Sequence, residues 1–220
     1  MNKVFLLRHG ENLANITSEL SYLKVDYSLT TKGKLQAYQT AAYFRDKAIQ
    51  LIYTSPLKRA VETAQIIGEE LGIEPVIIEN LREFNVGFLE GMSDRDESWR
   101  IHNETIRAWV QGKPEARFPG GDDFGAVNTQ MQAAMHEILA GNDGRRILVI
   151  GHGGLFFTSI SGLCQNTTLQ EISGRISNNC SISEMDLELK DGVIRGKLLR
   201  WADDSHLYGE AADFVRGYLT

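Results

Sequence analysis

Short apolar runs that break off into clusters of histidine, arginine and glycine recur along this chain, and they constrain its fold more than any other feature. Arg146-Ile147-Leu148-Val149-Ile150 is the strongest run, and Gly151-His152-Gly153-Gly154 ends it. Lys3-Val4-Phe5-Leu6-Leu7-Arg8 runs into His9-Gly10-Glu11, and Gln50-Leu51-Ile52-Tyr53-Thr54 into Ser55-Pro56-Leu57-Lys58-Arg59. Glu74-Pro75-Val76-Ile77-Ile78 leads to Leu81-Arg82-Glu83. Runs of this kind read as strands buried on both faces of a sheet. Pro75 places the last of them near an edge.

Helical patterns lie between the runs. Residues 32–48 carry Leu35, Tyr38, Ala42 and Phe44 or Arg45 at near-helical spacing, with Thr30 or Thr31 as N-cap. Ser55-Pro56 opens a second helix, proline taking its first position, and Gly72 ends it. Residues 92–112 read as helix without an apolar stripe, 113–122 as loop, and 123–140 and 155–163 as helices. Cys180 to Leu189 and Val193 to Trp201 flank Asp191-Gly192, a hairpin signal, and a short helix over 207–219 closes the chain. The expected fold class is α/β: a three-layer α/β/α sandwich with a mostly parallel central sheet and a C-terminal β-hairpin. Residues 1–220 suit a single domain, with a helical insertion at about 92–140.

If the strands are parallel, all four polar clusters lie on one edge of the sheet, where open α/β folds place their ligands. Arg8 and Arg59 offer planar forks suited to phosphate or carboxylate. Helix N-termini after Ser55 and Gly153 are expected to point backbone N–H groups to the same place. His9 and His152 supply a nucleophile or proton carrier, and Glu83 an acid or base. Gly10, Gly153 and Gly154 let backbone approach a ligand closely. The combination describes a site for an anion that undergoes chemistry.

Composition narrows the partners. A net charge of −6 with no Lys/Arg run argues against nucleic acid. No apolar stretch reaches membrane-spanning length, so no membrane partner is expected. Cys164 and Cys180 fit neither a disulfide framework nor a zinc site and read as two buried thiols. The start Asn2-Lys3 with its short apolar run is not a secretory leader, and a cytoplasmic protein is expected. The hairpin could leave a strand edge suited to homodimer formation.

The chain resembles the histidine phosphatase superfamily, the phosphoglycerate-mutase-like family, over almost its whole length. The resemblance rests on Leu7-Arg8-His9-Gly10-Glu11-Asn12 with Asn15, on Leu29-Thr30 and Gly33 to Gln36-Ala37, and on Thr54 to Ala60 with Thr63-Ala64. It continues through Leu81-Arg82-Glu83 with Gly87 and Glu90-Gly91, then Pro119 to Asp122, then Gly151 to Gly154. It implies that His9 attacks phosphorus and becomes phosphohistidine. Arg8, Arg59 and His152 would hold the phosphoryl oxygens, with Asn15 assisting and Gly153 lining the pocket. Glu83 would protonate the leaving oxygen and then activate water. Fixed cations would do the work of a metal, so neither metal nor cofactor is implied.

A small-molecule phosphate ester is the expected substrate, and hydrolysis the expected reaction. Phosphoglycerate mutase-type transfer is the first alternative. Mutases of this resemblance carry a tyrosine three residues after the catalytic glutamate, where Val86 stands here, and an adjacent arginine pair that is missing between Met92 and Pro119. Arg95, Arg100, Arg107, Lys113 and Arg117 would have to form any anion clamp. A non-catalytic phospho-ligand or protein-binding module is the second alternative, though a binder has no physical need for a nucleophile and an acid. Glu11 and Glu90 are expected to orient site residues, and Trp99, Trp109 and Phe118 to pack in the core with one near substrate. His102, His136 and His206 match no ligand spacing and read as surface or core-boundary residues.

Overall fold

The computed structural model describes residues 1–175 and 177–214. One six-stranded sheet organises them. Its strands are β1 (Asn2–Arg8), β2 (Leu51–Thr54), β3 (Val76–Ile77), β4 (Arg146–Gly151), β5 (Ile182–Lys190) and β6 (Val193–Asp203), in spatial order β3-β2-β4-β1-β5-β6. The first four in that order are parallel, and the hairpin β5–β6 adds antiparallel to β1.

Period-2 geometry sorts the apolar runs onto two faces. Val4, Leu6, Ile147 and Val149 enter one core cluster, and Phe5, Leu7, Leu148 and Ile150 the other. The second face is covered by α2 (Thr31–Phe44) and α3 (Lys58–Leu71) through Ala41, Phe44, Ala60, Ala64 and Ile67. The first is covered by α5 (Phe124–Leu139) and α6 (Gly153–Leu163) through Val127, Met131, Met135, Leu155 and Ile160. The three-layer α/β/α expectation holds.

Several local readings shift. Helix α2 starts where Thr30 caps it, its hydroxyl accepting from the Gly33 amide at 3.0 Å. Its buried stripe, however, is Gly33, Gln36-Ala37, Thr40-Ala41 and Phe44, while Leu35 and Tyr38 are exposed. Small residues are on the inside because α2 lies close against its neighbours: a Cβ on Gly33 would sit 2.0 Å from the Glu11 carbonyl oxygen. Helix α3 begins at Lys58 with Leu57 as N-cap, so Pro56 stands in the turn before it and not at its first position. Strand β3 shrinks to two exposed residues at the sheet edge that Pro75 marks.

The helical stretch 92–140 divides in two. Helix α5 belongs to the core layers. Helix α4 (Arg95–Val110) lies outside them, and its buried positions are Ser98, His102, Thr105 and Trp109. Their helical spacing with mostly polar chemistry is why no apolar stripe shows in sequence. Two short helices, α1 (Leu13–Ile16) and α7 (Leu169–Ile172), are about one turn each, too short to show a periodic stripe, and escape pattern reading. In the segment 207–219 the described residues, 207–214, hold a 3-10 turn, Gly209–Ala212, and residues 215–219 lie outside the described residues.

The outer edge of β6 is partly covered. Gln165 exchanges two hydrogen bonds with the Gly196 backbone, donating from its amide at 3.1 Å and accepting on Oε1 at 2.9 Å. Asn166 does the same at Leu198, at 2.8 and 2.9 Å. Two side chains stand where a neighbouring strand would pair. Cys164 and Cys180 are buried free thiols, and no helix among the described residues is long and apolar enough to cross a membrane.

The close approach of Gly33 to Glu11 yields a test. Gly33→Ala should destabilise the fold by about 2 kcal/mol or more, because backbone and not a flexible side chain meets the new methyl. An unchanged denaturation midpoint would mean that α2 slides freely over the Arg8–Glu11 loop.

Candidate active site

Register brings the polar clusters together. Arg8 pairs with Gly151 across β1–β4, and Thr54 pairs with Ile150 across β2–β4. The residues following each strand therefore emerge at one level of one sheet edge. Glu83 comes from the loop beyond β3. Its carboxylate accepts from the amides of Leu155 (2.7 Å), Phe84 (3.1 Å) and Gly154 (3.2 Å).

The two histidines face each other, ring centroids 5.3 Å apart. His9 is buried, and its Nδ1 lies 2.7 Å from the carbonyl oxygen of Gly10. A carbonyl only accepts, so Nδ1 carries the proton and Nε2 carries the lone pair. That lone pair receives the Nε–H of Arg59 at 3.1 Å. His152 is fully buried as the N-cap of α6. Its Nδ1 accepts from Arg59 Nη2 at 3.1 Å, so its Nε2–H donates to Ser55 Oγ at 2.7 Å.

Arg59 is the hub. Besides both imidazoles, it donates from Nη1 to Ser21 Oγ (2.9 Å) and from Nη2 to the Ser21 carbonyl (3.0 Å), with Asp26 at 3.8 Å. Burial lowers its pKa to about 10, against the pull of Glu83, Asp26 and Glu90, so it stays charged at neutral pH. Burial, then the charges of Arg59 and Arg8, hold His9 well below the usual histidine range. His152 is held down by burial and by Arg59 in the same way. Both imidazoles are neutral at pH 7. Burial raises the Glu83 pKa, while the three amides and Arg59 oppose the rise.

Other expected residues take these places. Arg8 donates from Nη1 to the Ser177 carbonyl, and its Cδ would lie 3.3 Å from a Cβ on Gly153, so only glycine lets α6 start there without a shift. Asn15 accepts on Oδ1 from the Asn12 amide (3.0 Å) and from Asn179 Nδ2 (3.1 Å). The helix N-termini depart from expectation. The first amides of α6 hold Glu83, and the Lys58 amide of α3 donates to Asp26 at 2.9 Å. Both helices position side chains in place of facing a ligand with backbone.

Sequence reading missed Ser21, Asp26 and Asn179, and counted Thr63 in a motif without giving it a role. Thr63 accepts from the Gly10 amide at 3.0 Å and stands one turn after Arg59, a spacing that could have disclosed it. Asn179 holds the His9 carbonyl at 3.1 Å from a loop with no motif. Among the described residues, no group of three or more His, Cys, Asp or Glu side chains is placed to hold a metal ion.

The family is visible at this point in both sequence and fold. Residues 4–202 match the family model of the histidine phosphatase superfamily (branch 1), and the chain belongs to that superfamily. A protein of Erwinia tasmaniensis named probable phosphoglycerate mutase GpmB is 34% identical to it, over 97% of this chain and 98% of the relative. A Proteus mirabilis protein of the same name is 31% identical, over 98% of this chain and 100% of the relative. Among solved structures, Entamoeba histolytica phosphoserine phosphatase in complex with 3-phosphoglyceric acid superposes with a TM-score of 0.76 at 24% identity, covering 94% of this chain and all of that one. Mycobacterial glucosyl-3-phosphoglycerate phosphatase gives 0.75 at 23%, covering 91% of this chain and 98% of that one. At such identities these two show the fold.

His102 was expected at a boundary and is instead buried behind the site. It packs beside Phe84 and Phe118, its ring near-parallel to both, with Trp99 edge-on, and burial drops its pKa to about 4. The unfolded chain binds a proton there near the ordinary value of about 6.5 and the folded chain does not, so stability falls as pH drops below that value. From pH 8 to pH 5 His102 alone should remove about 2 kcal/mol, at about 1.4 kcal/mol per unit. In His102→Phe, chemical denaturation at the two pH values should show that much less acid sensitivity; an identical pH slope would mean that His102 titrates normally in the fold.

Proposed function

We propose that this chain is a metal-independent phosphatase that hydrolyses small-molecule phosphomonoesters through a phosphohistidine on His9. The single observation that carries the reading is the tautomer of His9. Its proton is fixed on Nδ1 by the Gly10 carbonyl, and its Nε2 lone pair points into a cluster of cations and neutral imidazole. A phosphoryl oxygen entering there takes the Arg59 Nε–H, which frees the lone pair for in-line attack.

In the first step His9 Nε2 forms the N–P bond and the ester P–O bond breaks. Its electron pair leaves on the alcohol oxygen, which takes the proton of Glu83. Burial raises the Glu83 pKa and so favours the protonated acid this step needs. In the second step the Glu83 carboxylate removes a proton from water as the water oxygen attacks phosphorus, and the N–P bond returns its pair to Nε2. Arg8 and Arg59, with Asn15 as a donor, neutralise charge on the equatorial oxygens, the role that Mg²⁺ fills elsewhere. His152, whose single N–H goes to Ser55, acts through Arg59 by accepting its Nη2–H.

Hydrolysis is favoured over return of the phosphoryl group to a substrate by the cations of the insertion. A carboxylate clamp would need them unpaired, yet three of the five are committed elsewhere: Arg95 binds Glu19 (3.3 Å), Arg100 binds Glu97 and Glu104 (2.7 Å each), and Arg117 binds Asp123 (2.9 Å), which leaves only Arg107 and Lys113 of the five without an ion pair among the described residues. The mutase reading keeps support from the names of the relatives. A panel of metabolite phosphates, run beside a 2,3-bisphosphoglycerate-dependent mutase assay, separates the two; isomerisation of phosphoglycerate faster than phosphate release would replace the phosphatase reading.

His9→Ala should remove all turnover and leave the melting curve of a folded protein, and alkaline quenching should trap an acid-labile phosphoenzyme only in the wild type. Label on an acid-stable group would reassign the nucleophile. Glu83→Gln should cut kcat by about a hundredfold or more for alkyl phosphates and less for nitrophenyl phosphate, whose leaving group needs no proton. Equal losses on both would remove Glu83 from the acid role. EDTA should leave turnover unchanged, and a loss restored by added metal would defeat the metal-free mechanism.

A further inference from the structure

One oxygen of a buried carboxylate collects four consecutive backbone amides at the rim of the site. Glu90 Oε1 accepts from Tyr22 (2.7 Å), Leu23 (2.7 Å), Lys24 (2.8 Å) and Val25 (3.1 Å). Four N–H groups converging on one anion are charge-assisted, and they fix the backbone of the loop they come from. The Ser21 hydroxyl donates to the Val25 carbonyl and closes the loop on itself. The same Ser21 presents its Oγ and its carbonyl to Arg59, and Asp26, at the far side of the loop, caps the first turn of α3 and faces Arg59.

We infer that Glu90 is a positioning residue: it builds the 21–26 loop that sets the orientation of Arg59, and through it the phosphate site. The inference rests on reading Arg59 as a phosphate ligand. Glu90 is itself rigidly placed. It follows the turn Gly87–Leu89, whose Gly87 (φ +60°) lies so close to the Pro119–Gly121 loop that a Cβ there would meet the Pro119 oxygen at 2.2 Å. The Phe88 amide donates to the Pro119 carbonyl (2.9 Å), the Asp122 amide to the Asn85 carbonyl (2.8 Å) and the Asn85 amide to the Asp122 carboxylate (2.8 Å). The segment 83–90 thus carries the acid Glu83 at one end and Glu90 at the other. A single loop registers the proton donor against the cation.

The experiment follows amide exchange at Tyr22–Val25 together with binding of inorganic phosphate and steady-state kinetics. Glu90→Ala should deprotect those four amides, weaken phosphate binding and raise KM by about tenfold to a hundredfold, with a smaller change in kcat. Glu90→Gln, which keeps an acceptor oxygen without charge, should recover part of each effect. It also serves if the alanine variant fails to fold. Ser21→Ala should raise KM as well, and the double variant should fall short of the product of the two single effects, because both act through one loop. Unchanged protection of the four amides, unchanged phosphate affinity, or independent effects of the two substitutions would overturn the inference. Wild type that neither binds nor releases phosphate would instead end the phosphatase reading, while the amide protection still decides whether Glu90 holds the loop.

Discussion

A guanidinium buried between two imidazoles sets the terms for everything around it. Arg59 is only 3% exposed, and a cation so placed is tolerable only when its N–H groups are met by acceptors. Ser21 meets two of them with oxygen, and the remaining acceptors are ring nitrogens of His9 and His152. A ring nitrogen can accept only while it is unprotonated. The same contact that satisfies the arginine therefore keeps both histidines neutral, and the charge of Arg59 reinforces burial in doing so. Neutral imidazole is what a nucleophile requires, so the demands of burial and of chemistry agree.

The sheet supplies the geometry for that contact. Arg8, Thr54 and Gly151 are levelled by parallel pairing, so residues far apart in sequence leave the sheet at one level of one edge. This much was legible from residues 3–8, 50–54 and 146–150 alone, because strands apolar on both faces must be central and parallel. The site residues were legible for a related reason. His9, Arg59 and His152 each stand within a few residues of a strand end, where the chain must turn and where polar side chains have no structural need to cluster.

What stayed hidden depends on contacts that local pattern does not encode. Leu35 and Tyr38 attracted the helical reading of α2, yet close packing against the Glu11 loop selects the face built of glycine, alanine and threonine. Ser98, His102 and Thr105 are buried on α4 but polar, and His102 packs against Phe84 and Trp99, so hydrophobic periodicity overlooks them. Ser21 and Asn179 act from irregular loops where no spacing rule applies. Their importance follows from whose N–H or carbonyl they meet, which is known only once the chain is folded. Glu90 was singled out by sequence as an orienting residue, but its means, four amides on one oxygen, belongs to the tertiary structure.

In the proposed hydrolytic cycle one carboxylate must serve both halves, and the setting of Glu83 suits that double task. Burial disfavours its anion, whereas the amides of Phe84, Gly154 and Leu155 and the charge of Arg59 favour it. Neither influence acts alone, and burial has the larger effect. A carboxyl governed by burial only would hold its proton and never accept one from water. A carboxyl governed by helix amides only would stay ionised and never protonate a leaving oxygen. Because Gly154 and Leu155 belong to the helix that His152 caps, the element that fixes the imidazole beside Arg59 also tempers the Glu83 carboxyl. The balance between protonated and ionised Glu83 is thereby built into the start of α6.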